Sequence, residues 1–259
     1  MVNVIWSNLK MKAIIKHIPN FITSLNLFSG VVATVFAIDG HLIWAGIFIC
    51  VAAIFDFLDG MAARALNAYS ETGKQLDSLS DLVSFGVAPG AILFTLFEFS
   101  LFDINQPIYD ISANKYQWLI LFSSFLIPIF GAIRLARFNV LPGNESFFRG
   151  LPIPANGIFW ASMGLILEFP KYQQYFEVIY STKNLLFLGL FMSGMMIINM
   201  PMFSLKVKNL NFSENWYRYL FLFLALILLA SLNVYGLALV ILLYILLNII
   251  FYLLKVSYH

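Results

Sequence analysis

FDFLDGMAARALNAYSETGKQLDSLSDLVSFGVAP, residues 55–89, is the part of the sequence that determines both the architecture and the chemistry. It carries four aspartates between two strongly apolar segments. Asp56 and Asp59 are three residues apart, and Asp77 and Asp81 are four apart. On helices, both spacings place the pair on one face, with Cβ atoms roughly 5–6 Å apart. The short connection between the pairs predicts antiparallel neighbouring helices, so that all four carboxylates converge on one point.

The composition favours a membrane protein over a soluble domain. Of 259 residues, 61% are hydrophobic and only 11% are charged, whereas soluble domains carry roughly 25% charged residues. A globular core of this length could not bury so much apolar surface, but a lipid bilayer accommodates the excess. The net charge of +2 is too small to indicate a nucleic-acid partner. The single cysteine, Cys50, excludes a disulfide within the chain.

Eight segments approach the length of about 20 apolar residues that a transmembrane helix needs. They are residues 20–38, 42–65, 75–99, 117–138, 151–168, 184–203, 216–232 and 234–255. Asn199 and Pro201 interrupt the sixth segment. The predicted fold class is therefore all-α, a polytopic membrane helix bundle with about eight transmembrane helices. We divide it into residues 1–17, a catalytic core at 18–168 that carries the aspartates, and additional helices at 169–259.

The lysines and arginines predict the orientation, because cytoplasmic loops of membrane proteins are enriched in both. With the amino terminus inside, only Lys115, Lys171 and Lys183 of the 15 basic residues fall on the outer face. Both termini and the aspartates are therefore predicted to lie on the inner side of the cytoplasmic membrane. Residues 2–17 place apolar side chains at near-helical spacing beside three lysines. This segment is either an interfacial helix on anionic headgroups or a basic flank that only sets the topology.

Four carboxylates in one place need counter-charges. A carboxylate at the centre of a bilayer costs about 2.5–3.5 kcal/mol, and four together also repel one another. Only Arg64 and Lys74 are close in sequence, so divalent cations are the better solution, and oxygen ligands favour Mg²⁺ or Mn²⁺. Two alternatives stay open: the aspartates are solvated loop residues, or they bind the ion carried by a cation transporter. Their place at the membrane edge favours a site reached by a water-soluble substrate.

The spacing around the aspartates forms a motif of eight fixed positions. It reads Asp56-x2-Asp59-Gly60-x2-Ala63-Arg64-x8-Gly73-x3-Asp77-x3-Asp81. At every position it resembles the signature of the CDP-alcohol phosphatidyltransferase family. Other stretches are similar to the integral-membrane phosphatidylserine synthases of that family: IPNFITSLNLFSG at 18–30, SFGVAP at 84–89, RLARFN at 134–139 and FRGLPIP at 148–154.

The resemblance implies an activity, a cofactor and an assembly. Members transfer a phosphatidyl-type group from a CDP-linked donor to an alcohol and release CMP; here the pair would be CDP-diacylglycerol and L-serine. The carboxylates of the family bind two divalent ions. By resemblance, Asp56, Asp59 and Asp77 are the main metal ligands, and Asp81 completes the second site and is the candidate base for the serine hydroxyl. A homodimer among membrane lipids is also implied.

Contacts to the CDP donor carry over by resemblance to four further positions of the motif. These are Gly60, Ala63, Arg64 and Gly73. Asn20, Thr23 and Asn26 form a polar stripe at the inner start of the first segment. They are candidates to face the same cavity, and hydrogen bonding between helices is the alternative for all three.

The acceptor is held through its charge, because the amino acid carries a carboxylate. Arg134 and Arg137 lie three apart on one helical face, and Arg149 precedes a Gly-Leu-Pro turn. All three are candidates to bind the acceptor or a lipid phosphate. Ser84 lies seven residues after Asp77, on the same face, and is a further candidate. Glycerol 3-phosphate and inositol phosphate are also anions that arginines satisfy, so only the resemblance favours serine over them.

Overall fold

The structure, a computed structural model, describes the backbone of residues 2–140, 147–169, 173–205 and 211–256, and the side chains of all these except residues 2–16, 147, 148, 168 and 173. The α-helices in these ranges are α1 (Val2–Ile38), α2 (Leu42–Ala65), α3 (Glu71–Leu82), α4 (Ala88–Phe102), α5 (Lys115–Ser123), α6 (Leu126–Val140), α7 (Ile153–Glu168), α8 (Phe176–Ile179), α9 (Thr182–Ile197), α10 (Phe212–Leu232) and α11 (Val234–Leu253). A π-helical turn, Val83–Val87, joins α3 to α4, and a 3₁₀ turn, Gln173–Tyr175, precedes α8. Two short strands, β1 (Phe147–Arg149) and β2 (Pro201–Phe203), pair antiparallel.

The all-α membrane bundle predicted from the sequence is confirmed. Six helical stretches of the described chain are long and apolar enough to cross a bilayer. They are His17–Ile38, Leu42–Ala65, Glu71–Phe102, Lys115–Val140, Phe212–Leu232 and Val234–Leu253. The two other predicted spans form shorter apolar helices, Ile153–Leu167 and Thr182–Ile197. The count of eight and the cytoplasmic termini stay predictions, and Lys171, Lys206 and Lys208, on which the orientation partly rests, lie outside the described residues.

The predicted sixth span, residues 184–203, is wrong at its C-terminal end. Helix α9 stops at Ile197, and β2 begins at Pro201. Proline lacks the N–H that a helix needs and pushes the residue before it towards extended backbone. The chain therefore leaves the helix and pairs with β1, with Arg149 opposite Pro201.

The stretch from Glu71 to Phe102 is the central element of the bundle. In its apolar window 78% of the residues are buried, against 28–39% in the other five candidate spans. Small residues permit this burial, since a Cβ on Gly90 would lie 3.1 Å from the Pro128 ring and 3.3 Å from the carbonyl of Ser124. The aspartates at its start therefore stand on a helix, α3, that continues into the buried centre of the bundle.

Side-chain hydrogen bonds fix this central stretch to α1. The Ser80 hydroxyl donates to the carbonyl of Thr23 at 3.0 Å, and the Thr95 hydroxyl donates to the carbonyl of Ala37 at 2.7 Å. In a lipid environment such buried donors need internal partners. Helices α2 and α3 both pack against α1, so α1 determines how far apart their aspartates stand.

The last two helices hold the strand pair in place. Asn248 accepts a hydrogen bond from the backbone N–H of Phe203 at 2.8 Å, and the Tyr244 hydroxyl donates to the carbonyl of the same residue at 2.8 Å. Arg218 donates to the carbonyl of Ser204 at 2.8 Å. The Phe203 ring packs edge-on against Tyr217 and Tyr244, among other rings. Helices α10 and α11 therefore fix β2, and through it β1 and Arg149.

Candidate active site

Three of the four aspartates meet at one end of the bundle. Asp56 and Asp59 come from the C-terminal half of α2, and Asp77 comes from α3. Each offers a carboxylate oxygen, and these oxygens all lie within 4.8 Å of one another. The turn that brings the helices together ends at Ser70, whose side chain caps α3 by accepting the N–H of Gly73 at 3.0 Å. Such a cap satisfies one of the free N–H groups of the first turn.

The donor set fits a divalent cation. Asp59 is only 6% exposed, and its Oδ2 atom is buried without a hydrogen-bond partner among the described residues. An unsatisfied buried carboxylate oxygen is costly, and a cation between the three carboxylates would remove that cost together with their repulsion. Carboxylate oxygens are the ligands that Mg²⁺ and Mn²⁺ prefer. The cluster is therefore suited to bind metal.

Asp81 lies beside the three-carboxylate group. It interacts electrostatically with Asp56, Asp59 and Asp77, but the group within 4.8 Å does not include it in the described chain. Its Oδ1 accepts a hydrogen bond from the side chain of Asn26 on α1 at 3.4 Å. Asn26 of the polar stripe thus contacts the fourth carboxylate, which is the hydrogen bonding between helices that the sequence offered as one of two roles for the stripe.

A cavity of about 670 Å³ opens next to the cluster. All six residues that the sequence suggested for donor binding line it, together with Asp59 and Asp77: Asn20, Thr23, Gly60, Ala63, Arg64 and Gly73. Sequence reasoning missed six further lining residues, of which four carry polar groups: Tyr69, Ser70, Glu71 and Lys74. The Ser-Glu start of α3 is a helix-capping signal that would have placed Ser70 and Glu71 here.

The two motif glycines of this cavity have different surroundings. A Cβ on Gly60 would meet no atom within 4 Å, so it would project into the open cavity. A Cβ on Gly73 would lie 2.8 Å from Oδ1 of Asn20 and 2.9 Å from Oγ of Ser70. Gly60 therefore leaves space for a ligand, whereas Gly73 leaves space for the side chains that form the wall.

The three arginines suggested for the acceptor line a second cavity of about 620 Å³. Arg137 donates to the carbonyl of Ile197 at 3.0 Å, and Arg149 donates to Oδ1 of Asn199 at 3.5 Å. Arg134 is only 8% exposed, and its Nε is buried without a hydrogen-bond partner in the described part of the chain. It also interacts electrostatically with Asp81, which places this cavity next to the carboxylates.

Ser84 does not reach either cavity. It is fully buried, and its hydroxyl donates to the carbonyl of Asn26 at 3.0 Å. Among the described residues that line the two cavities, Ser84 is not present. Ser84 lies on the same side of its helix as Asp81, because both contact Asn26 of α1, Ser84 through the Asn26 carbonyl and Asp81 through the Asn26 side chain. A contact of Ser84 with the acceptor stays a prediction. Its hydroxyl ties the turn to α1.

Fold and site together define an integral membrane protein with a carboxylate cluster, suited to hold a metal ion, at one end of its helices. Comparison with known families is consistent with this class. A model of the CDP-alcohol phosphatidyltransferase family matches residues 16–194, and the chain belongs to that family. The matched region contains all four aspartates, the three arginines and both cavities' polar residues except Asn199.

Curated relatives are 33–40% identical to this chain within the aligned regions. Archaetidylserine synthase of Methanothermobacter thermautotrophicus is 35% identical over 150 residues, which cover 57% of this chain and 58% of that protein. CDP-diacylglycerol–serine O-phosphatidyltransferase of Saccharomyces cerevisiae is 40% identical over 154 residues, 53% of this chain and 50% of that one. The enzyme of the same name from Bacillus subtilis is 33% identical over 142 residues, 55% and 72% of the two chains. The similarity thus spans little more than half of the first two relatives.

Proposed function

We propose that this chain transfers the phosphatidyl group of CDP-diacylglycerol to L-serine and forms phosphatidylserine and CMP. The observation that carries the proposal is the meeting of carboxylate oxygens of Asp56, Asp59 and Asp77 within 4.8 Å at the edge of a cavity lined by six of the eight motif residues. The names of the relatives, which are serine-dependent synthases and transferases, support serine as the acceptor.

Two divalent ions, Mg²⁺ or Mn²⁺, are proposed as cofactors. Asp56, Asp59 and Asp77 would hold them, and Asp81 would complete the second site. When bound, the ions neutralise charge on the non-bridging and leaving oxygens of the diphosphate. The buried, unpartnered Oδ2 of Asp59 is the atom of this chain that most needs such a partner.

The chain's own residues bind the donor and move one proton. Arg64, Asn20 and Thr23 line the first cavity and would bind the diphosphate and cytidine, the guanidinium by charge-assisted hydrogen bonds. The serine hydroxyl oxygen attacks the β-phosphorus, the bond from that phosphorus to the CMP oxygen breaks, and CMP leaves. Asp81 accepts the hydroxyl proton. Its hydrogen bond to Asn26 would hold the carboxylate towards the acceptor.

The arginine cavity would hold the serine carboxylate. Arg134 is the buried arginine of this cavity, and it interacts electrostatically with Asp81. An acceptor bound to Arg134 would therefore lie beside the proposed base. Arg137 and Arg149 line the same space and would contact the acceptor or the lipid phosphate. We further propose that the protein is a homodimer in the cytoplasmic membrane, with this end of the bundle facing the cytoplasm.

Release of CMP by the purified protein tests the acceptor directly. The protein is supplied with CDP-diacylglycerol and Mg²⁺ or Mn²⁺, and serine, glycerol 3-phosphate and inositol phosphate are offered in parallel. Of the three acceptors, we expect only serine to cause CMP release by the wild-type protein. The Asp77→Asn variant should release no CMP with any acceptor. Release with one of the two phosphate acceptors and not with serine would keep the chemistry and overturn the acceptor. No release with any of them would overturn the proposed function.

A further inference from the structure

A third cavity lies at the opposite end of the bundle from the aspartates. It measures about 640 Å³, and its lining includes Thr34 and Ile38 of α1. Thr34 and Ile38 follow Thr23, which lines the aspartate cavity, by eleven and fifteen residues. At 1.5 Å per residue these lining residues are therefore about 16–22 Å apart along the helix. This cavity belongs to the other membrane face and has no part in the proposed transfer.

A buried carboxyl group lines this cavity without a complete set of hydrogen-bond partners. Glu98 of α4 lines it and is only 1% exposed. Its Oε2 accepts a hydrogen bond from the Asn105 side chain at 2.9 Å, and the backbone of Gln106 contacts the same carboxyl. Its Oε1 is buried and has no hydrogen-bond partner among the described residues. Leaving such an oxygen unsatisfied is costly, so a ligand that donates to it would be favoured.

The protein holds this carboxyl in a fixed position. Asn105 also donates to the carbonyl of Ile38 at 3.2 Å. Gly40, with a φ of +80°, lets the Asn105 side chain approach so closely that a Cβ there would lie 3.0 Å from its Oδ1. One oxygen of Glu98 is thus held by the protein, and the other is buried at the cavity wall without a hydrogen-bond partner among the described residues.

The charges around the cavity favour a cation. Asp39, 3.4 Å from the His41 imidazole, is a second acid in the lining, and no lysine or arginine lines the cavity in the described chain. The remaining walls are mainly apolar: Ile38, Val87, Ala91, Phe94, Ile108 and Phe125. A metal such as Ca²⁺ takes six to eight oxygen ligands, which these walls do not supply. An organic ammonium group with an apolar remainder fits better.

The rim of the cavity faces lipid. Ile38, Ile108 and Phe125 are 59%, 59% and 44% exposed, and Ile38 and Phe125 belong to helices that are long and apolar enough to span the membrane. Acyl chains are the natural neighbours of such side chains. The ligand therefore reaches Glu98 from the bilayer rather than from water.

We propose that this cavity binds the primary ammonium headgroup of a membrane lipid. Oε1 of Glu98 accepts from the ammonium, and the acyl chains lie along Val87, Ala91 and Phe125. Asp39 repels headgroups that also carry a carboxylate, so an ethanolamine-type lipid is preferred over a serine-type lipid. The assignment is independent of the transfer reaction, because it concerns a different end of the molecule.

Native mass spectrometry of the purified full chain tests the assignment. The protein is mixed with equal amounts of phosphatidylethanolamine, phosphatidylcholine and phosphatidylglycerol that carry identical acyl chains. Phosphatidylcholine has the charge without N–H donors, and phosphatidylglycerol lacks the ammonium. We expect the ethanolamine lipid to be retained about tenfold more than either, as befits one charge-assisted hydrogen bond. Equal retention of the three lipids by the wild-type protein overturns the proposal without any variant.

Two substitutions locate the effect. Glu98→Gln keeps the shape and removes the charge, and we expect it to lower retention of the ethanolamine lipid to the level of phosphatidylcholine. Asp110→Asn removes an exposed acid from the same connection without touching the cavity, and should retain the selectivity. Selectivity that survives Glu98→Gln overturns the site. Glycerophosphoethanolamine has the headgroup but no acyl chains. If it binds as tightly as phosphatidylethanolamine, the cavity binds a water-soluble amine, and the proposal of a membrane lipid is wrong.

Discussion

Two glycines of the motif, similar in sequence, have opposite reasons to lack a side chain. Gly60 faces open space, and Gly73 is enclosed by Asn20 and Ser70. A spacing pattern cannot separate these cases, because both read as a small residue near an aspartate. The missing side chain of Gly60 leaves space for a ligand, whereas the missing side chain of Gly73 leaves space for Ser70, which caps α3.

Gly60→Ala is expected to weaken donor binding while the fold stays intact. The added methyl group enters the cavity, and one misplaced methylene in a binding site costs about tenfold or more in apparent affinity. Within α2, alanine favours the helix by about 1 kcal/mol over glycine, so thermal stability should not fall. The measurement is the KM for CDP-diacylglycerol together with the melting temperature.

Gly194→Ala is the matched control for this change. Gly194 also lies in a helix, and a Cβ there also meets nothing within 4 Å, but it does not line the aspartate cavity. We expect its KM to equal that of the wild type. An unchanged KM in Gly60→Ala, or an equal rise in both variants, would contradict a donor site at Gly60.

At the scale of elements, the strand pair connects the C-terminal helices to the arginine cavity. Tyr244 of α11 donates to the carbonyl of Phe203 in β2, and β2 pairs with β1, which carries Arg149. Phe203 is fully buried, so its carbonyl has no access to water if the tyrosine hydroxyl is removed. These two helices follow the region that the family model matches, and this contact gives them a role.

Tyr244→Phe is expected to raise the KM for serine about five- to tenfold and to leave the KM for CDP-diacylglycerol unchanged. An unsatisfied buried carbonyl costs about 1–3 kcal/mol, and the freed strand shifts Arg149. Tyr235→Phe is the control, because it removes one hydroxyl bond of the same helix, to the carbonyl of Phe169, far from the strands. Equal effects of both variants on the serine KM would show that β2 does not position the acceptor site.

The helices and the meeting of the aspartates were predictable from the sequence, whereas the strands and the π-helical turn were not. Apolar length and the three- and four-residue spacings are local signals, and they located α2 and α3 correctly. The pairing of β1 with β2 joins segments about fifty residues apart and leaves no local periodicity. The hydrogen bond of Ser84 to the Asn26 carbonyl likewise joins residues 58 positions apart, which no local spacing indicates.

At the scale of the whole molecule, the aspartates and Glu98 lie at opposite ends of a membrane-spanning bundle. The orientation predicts that the turn before α3 faces the cytoplasm and that the loop after α4 faces outwards. Thr72 and Asp110 are exposed residues of these two segments. Since Cys50 is the single native cysteine, each position can carry a unique label after Cys50→Ser.

A membrane-impermeant thiol reagent added to intact cells is expected to label Asp110→Cys and to spare Thr72→Cys. Permeabilised cells should show labelling of both, which controls for reactivity. The physical reason is the excess of lysine and arginine on the side of the aspartates. The reverse pattern, with Thr72→Cys labelled from outside, would place the proposed active site on the outer face of the membrane and contradict the predicted orientation.

The central claim is that Asp56, Asp59 and Asp77 bind divalent cations between two helices. Titration of the purified protein with Mn²⁺, followed by electron paramagnetic resonance, measures this directly and needs no turnover. We predict saturable binding by the wild type and by Asp110→Asn, and a loss of affinity greater than about tenfold in Asp77→Asn, since even indirect partners of metal ligands contribute that much. Equal Mn²⁺ affinity in all three proteins would contradict the account.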